Sequence, residues 1–237
     1  MSVIKRFGIN TAGRDFAVGD IHGHFTRLQA ALDAAGFDPV VDRLFSVGDL
    51  VDRGPESEQV LEWLAKSWFF AIRGNHEDMV ITANADLHFV NGGAWFYGLS
   101  HFERADIVAQ LGQLPLLIEV EVPNGLIGLV HADVPCADWA DLKSAFDGGG
   151  MEAEHVAAMC QWSRKRVTNS DSSGVSGISA VVVGHTPVRR PAVLGNVIHI
   201  DTGGWLPEER GGYFTLLNLH TLEAIPPMPA KLEWEVA

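Results

Sequence analysis

Three short blocks of the chain hold residues able to bind metal and phosphate: Gly19-Asp20-Ile21-His22-Gly23-His24, Gly48-Asp49-Leu50-Val51-Asp52-Arg53-Gly54 and Arg73-Gly74-Asn75-His76-Glu77-Asp78. Each follows a β-like apolar run, which for the middle block is Leu44-Phe45-Ser46-Val47. Carboxylate and amide oxygens with imidazole nitrogens suit Mn, Fe or Zn far better than thiolates would. Any single block reads equally well as an ordinary Asp/Gly turn. Three in one register point to a shared metal site instead. The intervals from Asp20 to Asp49 and from Asp49 to Asn75 are close to the roughly 30 residues of one strand-helix-strand crossover. Parallel strands deliver their C-terminal loops to one edge of a sheet, so the spacing predicts that the blocks converge.

The elements that must position them follow from hydrophobic periodicity. Residues 15–20 read as a buried strand, and Phe25 to Leu32 as a helix with Leu28, Ala31 and Leu32 on one face, stopped at Gly36. A second strand runs into Asp49. Pro55 and Ser57-Glu58 then open a helix carrying Val60, Leu61 and Leu64 on its buried side, and Trp68 to Ile72 is the third strand. Another helix starts after Asn75, with Glu77 and Asp78 near the positive end of its dipole. Residues 84–100 place Phe89, Trp95, Phe96 and Tyr97 around Asn91-Gly92-Gly93 without a clear period, as an ordered loop with a short helix would.

Beyond this point the pattern changes to strand after strand. Leu116 to Val122 and Leu126 to Val130 form a hairpin through Pro123-Asn124-Gly125. Residues 151–162 read as a helix, Ala180 to Gly184 as a strand, and Val193 to Ile200 and Tyr213 to Leu219 as two more. The Ser- and Gly-rich stretch from Asn169 to Gly177 is a flexible loop by composition. Two facing sheets with helices outside, an α/β/β/α sandwich, is the expected fold.

No Pro/Gly/Ser-rich linker and no repeat divides the 237 residues, so one domain over 1–237 is expected. The formal charge of −13 argues against a nucleic-acid or membrane surface, which would need clustered Lys and Arg. A phosphate substrate remains allowed, because metal ions and a few arginines reverse the field locally. Only Cys136 and Cys160 are present, without metal-type spacing, which suits a reduced compartment. The stretch from Met1 to Phe7 has no apolar h-region and no run is long enough to cross a bilayer, so a soluble cytoplasmic protein is expected.

Of ten histidines, His22, His76, His131 and His185 lie at strand ends, the last two in Leu129-Val130-His131-Ala132-Asp133 and Val183-Gly184-His185-Thr186-Pro187. A lone strand-end His is more often a structural hydrogen-bonder. Beside converging Asp and Asn side chains, metal ligation is the stronger reading for these four.

GD-x-HG, GD-x-VDRG and GNHE followed by separated histidines resemble the metallophosphoesterases of the phosphoprotein-phosphatase type, from Asp20 to about Gly203. Trp162-Ser163-Arg164, Gly184-His185-Thr186-Pro187 and Asp201-Thr202-Gly203 are most similar to the small bacterial and phage serine/threonine protein phosphatases of the lambda type. The resemblance implies a four-layer sandwich of the calcineurin-like type and two divalent ions, Mn foremost with Fe or Zn as alternatives. It implies Asp20 and His22 on the first metal, Asn75, His131 and His185 on the second, and Asp49 bridging both. The reaction so implied is attack of a metal-bridging hydroxide on the phosphoester of a phosphorylated protein or a small phosphoester.

His76, one residue after Asn75, is assigned as the general acid, with Asp52 holding its other ring nitrogen. The alternative for Asp52 is a salt bridge that only orders the loop. Arg53 and Arg73 sit beside ligands, where planar guanidinium forks can hold phosphate oxygens. Arg164 is the third phosphate arginine by resemblance, against the ordinary reading of a solvated charge. Arg189 and Arg190 border the substrate entrance or form a solvated pair. Asp133 and Asp201 are read as turn residues or as supports behind the ligands. A diadenosine tetraphosphate hydrolase would share every core motif and stands as the alternative function. A catalytically idle phosphoprotein-binding module would have lost a ligand or the acid, and here all are in place.

Overall fold

Strands that are apolar at every position must be covered on both faces, since successive side chains alternate between them. The computed structural model, which describes residues 3–82 and 84–226, meets this requirement with two facing sheets. The first half of the chain contains β1 (Ile4–Phe7), β2 (Asp15–Val18), α1 (Phe25–Ala34), β3 (Arg43–Ser46), α2 (Val60–Leu64), β4 (Phe69–Ala71), α3 (Asn75–Thr82), α4 (Ala85–Val90), α5 (Ala94–Tyr97) and α6 (His101–Leu111). The second half contains β5 (Leu117–Val122), β6 (Gly125–Leu129), α7 (Trp139–Asp147), α8 (Gly150–Trp162), α9 (Lys165–Thr168), β7 (Ala180–Val183), β8 (Ala192–Leu194), β9 (Val197–His199), β10 (Leu216–Asn218) and β11 (Ala224–Ile225).

One sheet runs β11-β10-β2-β3-β4 and the other β1-β5-β6-β7-β9-β8. In the first, β2, β3 and β4 are parallel, with Phe16 opposite Leu44 and Phe45 opposite Phe70. In the second, β6, β7 and β9 are parallel, with Leu129 opposite Val182 and Val182 opposite Ile198. Two antiparallel hairpins, β5-β6 and β8-β9, complete it.

Alternation sorts the side chains into three apolar layers. Phe16, Val18 and Leu44 face α1, α2 and α6, meeting Leu28, Leu32, Trp63 and Leu111. Ala17, Phe45 and Val47 turn the other way, toward Ile118, Val120, Leu129 and Val182 of the opposing sheet. Leu117, Val181, Val183 and Val197 then face α7 and α8 through Trp139, Leu142, Val156 and Cys160. The order helix, sheet, sheet, helix is the expected α/β/β/α sandwich. No helix among the described residues is long and apolar enough to cross a membrane.

Several expectations change. The N-terminal strand β1 pairs in parallel with β5, although Ile4 to Phe7 carry only a short pattern. Val193 to Ile200 is a hairpin rather than one strand: Gly195, at φ 64°, and Asn196 make a two-residue turn between Leu194 and Val197. The strand expected over 213–219 shrinks to β10, and a short β11 follows it. The helix after Pro55 opens as a 3-10 turn over Ser57–Gln59 and buries Val60 and Trp63, leaving Leu61 and Leu64 only half-buried. Residues 84–100 contain two short helices, α4 and α5. The Ser/Gly-rich loop is tethered, because buried Arg166 donates to the Ser173 carbonyl at 2.6 Å and Val175 N–H donates to Asn196 Oδ1 at 2.7 Å.

Phe45 sits fully buried between the sheets, with its ring centroid 5.0 Å from Phe7 and 5.4 Å from Phe70. Phe45→Ala should lower the unfolding free energy by about 3–5 kcal/mol. Urea denaturation checks this, with the loss appearing as a lower midpoint at an unchanged slope.

Candidate metal centre

The three adjacent parallel strands of each sheet end at the same place. From β2, β3 and β4 the chain runs on to Asp20 and His22, to Asp49, and to Asn75; from β6, β7 and β9 it runs on to His131, His185 and Asp201. The backbone there is strained. Of the seven non-glycine residues with positive φ among the described residues, five are His22, Asp49, Asp52, Arg53 and His185. Such conformations persist only where the surroundings enforce them. Glu77, fully buried, supplies that enforcement for Asp49: its carboxylate accepts N–H bonds from Asp49 at 2.9 Å, Leu50 at 2.7 Å, Val51 at 3.4 Å and Gly74 at 2.8 Å. Two glycines admit the ligands closely. A Cβ at residue 74 would stand 2.2 Å from Asp49 Oδ1, and one at residue 184 would stand 2.3 Å from Asp20 Oδ1.

The donor atoms form two groups that share Asp49. Ligand atoms of His22, Asp49 and His76 lie within 4.8 Å of one another, and so do those of Asp49, His131 and His185. Asn75 Oδ1 joins the second group, 2.9 Å from His131 Nε2 and 3.0 Å from His185 Nδ1. Asp20 joins the first, with Oδ2 3.9 Å from His22 Nε2 and Oδ1 accepting the His185 N–H at 2.9 Å.

Hydrogen-bond chemistry tests whether cations belong here. His131 Nδ1 donates to the Val47 carbonyl at 2.7 Å, so Nε2 of the neutral ring carries a lone pair. That lone pair faces two oxygens, Asn75 Oδ1 at 2.9 Å and Asp49 Oδ1 at 3.4 Å. His22 repeats the orientation: Nδ1 donates to the Val51 carbonyl at 2.9 Å, and Nε2, 3.6 Å from Asp49 Oδ2, already meets a positive group, the Arg53 guanidinium at 2.8 Å. Acceptors aimed at acceptors need a positive charge between them, and a ring N–H on a carbonyl is the usual orientation of a metal-bound imidazole.

The field agrees. Burial works against a charge on His131, yet the Asp49 carboxylate outweighs it and pushes the pKa up to about 10, so that without a metal ion a proton on Nε2 supplies the positive charge this place attracts. Burial, reinforced by Asp201 and Asp49, holds Asp20 well above the ordinary carboxylate range. Burial first, and then His131, drops His185 to about 3, leaving that ring neutral and able to donate a lone pair. These residues fit a pair of divalent cations sharing Asp49.

Around them lies a cleft of about 170 Å³ lined by Asp49, Arg53, Asn75, Asn91, Trp162, Arg164 and His185. Arg53 spans it, with Nη1 2.8 Å from His22 Nε2, Nη2 3.1 Å from His76 Nε2, and its guanidinium 4.3 Å from the Trp205 ring centroid. Arg164 reaches the same cleft. Arg73 does not line it and faces Asp78 at 3.8 Å. Asp52 Oδ2 lies 2.6 Å from His76 Nδ1. Arg189 and Arg190 line a separate groove with Arg210. Asp133 binds Arg166 at 2.7 Å, and Asp201 accepts the Gly203 N–H at 3.0 Å.

Glu77 was legible only as a helix-dipole residue, Trp162 only as part of the Trp162-Ser163-Arg164 motif, and Asn91 and Trp205 carried no signal as site residues, because their proximity comes from loops distant in sequence. The Glu77 carboxylate generates a test. Glu77→Gln sets an amide N–H₂ against backbone donors, and should cost about 2 kcal/mol in the metal-free protein and weaken Mn binding by about 10–100-fold. Thermal unfolding and calorimetric Mn titration measure the two effects; unchanged Mn affinity would contradict the supporting role of Glu77.

Comparison with known proteins agrees with this geometry. Residues 16–189 match the calcineurin-like phosphoesterase family. Serine/threonine-protein phosphatase 1 of Salmonella typhimurium is 39% identical over 211 residues, covering 86% of this chain and 91% of that protein. The symmetrical bis(5'-nucleosyl)-tetraphosphatase of Pseudomonas putida is 35% identical over 132 residues, covering 51% of this chain and 42% of that protein. A solved protein serine/threonine phosphatase from Saccharomyces cerevisiae shares the fold, with a TM-score of 0.60 at 16% identity over 92% of this chain and 77% of that one. Metal-ligand groups where two sets of parallel strands end, and a family match across most of the chain, lead to one conclusion: the chain belongs to the calcineurin-like phosphoesterases, a family with a dinuclear metal site.

Proposed function

We propose that this chain is a metal-dependent serine/threonine protein phosphatase that works with two divalent ions, Mn foremost, in the cytoplasm. The observation that carries the reading is the double group of donors sharing Asp49, with lone pairs turned on one another beside an acid-base pair and two arginines. Asp20 and His22, with Asp49, would hold one ion; Asn75, His131 and His185, with Asp49, would hold the other. Two ions held there would supply an acidified water as nucleophile and would neutralise phosphoryl charge.

The chain's own residues do the rest. Arg53 and Arg164 bind phosphoryl oxygens through their planar forks, Arg53 releasing the ring nitrogens of His22 and His76 as it does so. Arg73, paired with Asp78, takes a share only if it turns from that partner. Once Arg53 has left it for phosphate, His76 Nε2 takes a proton from solvent and passes it to the leaving serine or threonine oxygen as the phosphorus–oxygen bond breaks. Asp52, 2.6 Å from Nδ1, holds the ring with Nε2 toward that oxygen. Trp205 and Trp162 flank the cleft and exclude water from its sides.

Support for protein over dinucleotide substrates comes from coverage. The similarity to the Salmonella phosphatase runs along 86% of this chain, whereas that to the Pseudomonas tetraphosphatase covers 51%. Protein stripped of metal and reloaded with Mn should release orthophosphate from a phosphoserine peptide and leave diadenosine tetraphosphate largely intact. Asp49→Ala should abolish this, and His76→Asn should reduce it by about 10²–10⁴-fold. Preferential cleavage of the dinucleotide would move the function to nucleotide hydrolysis, and full activity in both variants would sink the mechanism.

A further inference from the structure

Residues 84–100 add a layer behind the His76–Asp52 pair. His88 is fully buried, and its Nε2 lies 2.8 Å from Asp52 Oδ1. Trp95 Nε1 donates to the same oxygen at 2.7 Å. The other carboxylate oxygen, Oδ2, is the one at 2.6 Å from His76 Nδ1. Because a carboxylate only accepts, His88 carries its proton on Nε2, and its Nδ1 is free to accept from the Tyr97 hydroxyl 3.3 Å away. The loop is shaped to the ring: a Cβ at residue 93 would stand 2.2 Å from it.

The backbone of Asp52 is already held, at φ 73° with its N–H on Ser57 Oγ at 2.9 Å. What remains to be set is the rotation of the carboxylate. Two donors on Oδ1 set it and leave Oδ2 aimed at His76. Burial works against the charge on Asp52, and the bonds from His76 and His88 outweigh it, keeping the carboxyl below its usual range. His88 is fully buried and both donors end on Asp52 Oδ1, so both act on Asp52 rather than on substrate.

We propose that His88, seconded by Trp95, is a positioning residue: it orients the Asp52 carboxylate so that the bond to Nδ1 holds the His76 ring with Nε2 turned to the leaving oxygen. This rests on the reading of His76 as proton donor. His88 keeps its own proton throughout; the one that moves passes from His76 Nε2 to the leaving alkoxide. A buried histidine that served packing alone would leave no mark on proton donation.

Leaving groups separate the two roles, since an aryl phosphate expels a stabilised phenolate and needs little acid help, whereas phosphoserine expels a basic alkoxide. In Mn-loaded protein, His88→Phe should lower kcat on a phosphoserine peptide by about tenfold or more, with KM little changed, and lower it at most about threefold on p-nitrophenyl phosphate. His88→Gln, which keeps a donor near the Nε2 position, should recover most of the loss. Trp95→Phe should show the same split and decides the matter if His88→Phe does not fold. In the metal-free protein, the downfield His76 Nδ1 proton should persist in His88→Gln and broaden by exchange in His88→Phe. His76→Asn run alongside should give the same split more strongly. Equal losses on both substrates in the His88 and Trp95 variants, or no loss on either, would overturn the proposal alone; a His76→Asn variant without the split would overturn the proton-donor reading and this inference with it.

Discussion

Everything at the centre of this molecule depends on how Asp49 is held. A carboxylate shared by two donor groups has to sit deep between two sheets on a backbone that an L residue adopts unwillingly, at φ 51°. Glu77 makes that conformation stable by gathering four backbone N–H groups, three from the Asp49 loop and one from Gly74. One carboxylate thus ties the end of β3 to the end of β4. Gly74 in turn gives way to Asp49 Oδ1, so the two loops interlock sterically as well as through hydrogen bonds.

The apolar layer between the sheets is what brings the second half of the chain to meet this loop. Phe45 and Val47 on one side, with Leu129 and Val182 on the other, set the sheets in register. The strand ends that follow them then carry Asp49, His131 and His185 to one point. The Val47 carbonyl at the end of β3 receives His131 Nδ1 from the other sheet, so sheet packing itself chooses which ring nitrogen faces the centre. Core packing and donor chemistry are two consequences of the same contact.

A chain of net charge −13 places its positive groups sparingly around this point. Arg53 and Arg164 reach the cleft, and Trp205 stacks on Arg53, holding a long side chain over the site. The aromatic segment that follows α3 has a different use. It encloses Asp52 with His88 and Trp95, so that a carboxylate beside the candidate metal ligands is held by three ring donors at once.

The sequence alone determined the candidate ligand residues, the order of the sandwich layers and the family resemblance. Each of these rests on local patterns: a Gly-Asp or Gly-Asn block after an apolar run, or an alternation of period two. Asn75, His131 and His185 were legible because each directly follows such a run or its glycine. What only the tertiary structure decided was contact between side chains far apart in the chain. His88 meets Asp52 across 36 positions, and its segment has no period to betray it. Arg164 enters the cleft while Arg73, adjacent to a ligand, turns to Asp78. Sequence adjacency fixes where a backbone is, but the direction of a long charged side chain is set by the partners that packing brings within reach.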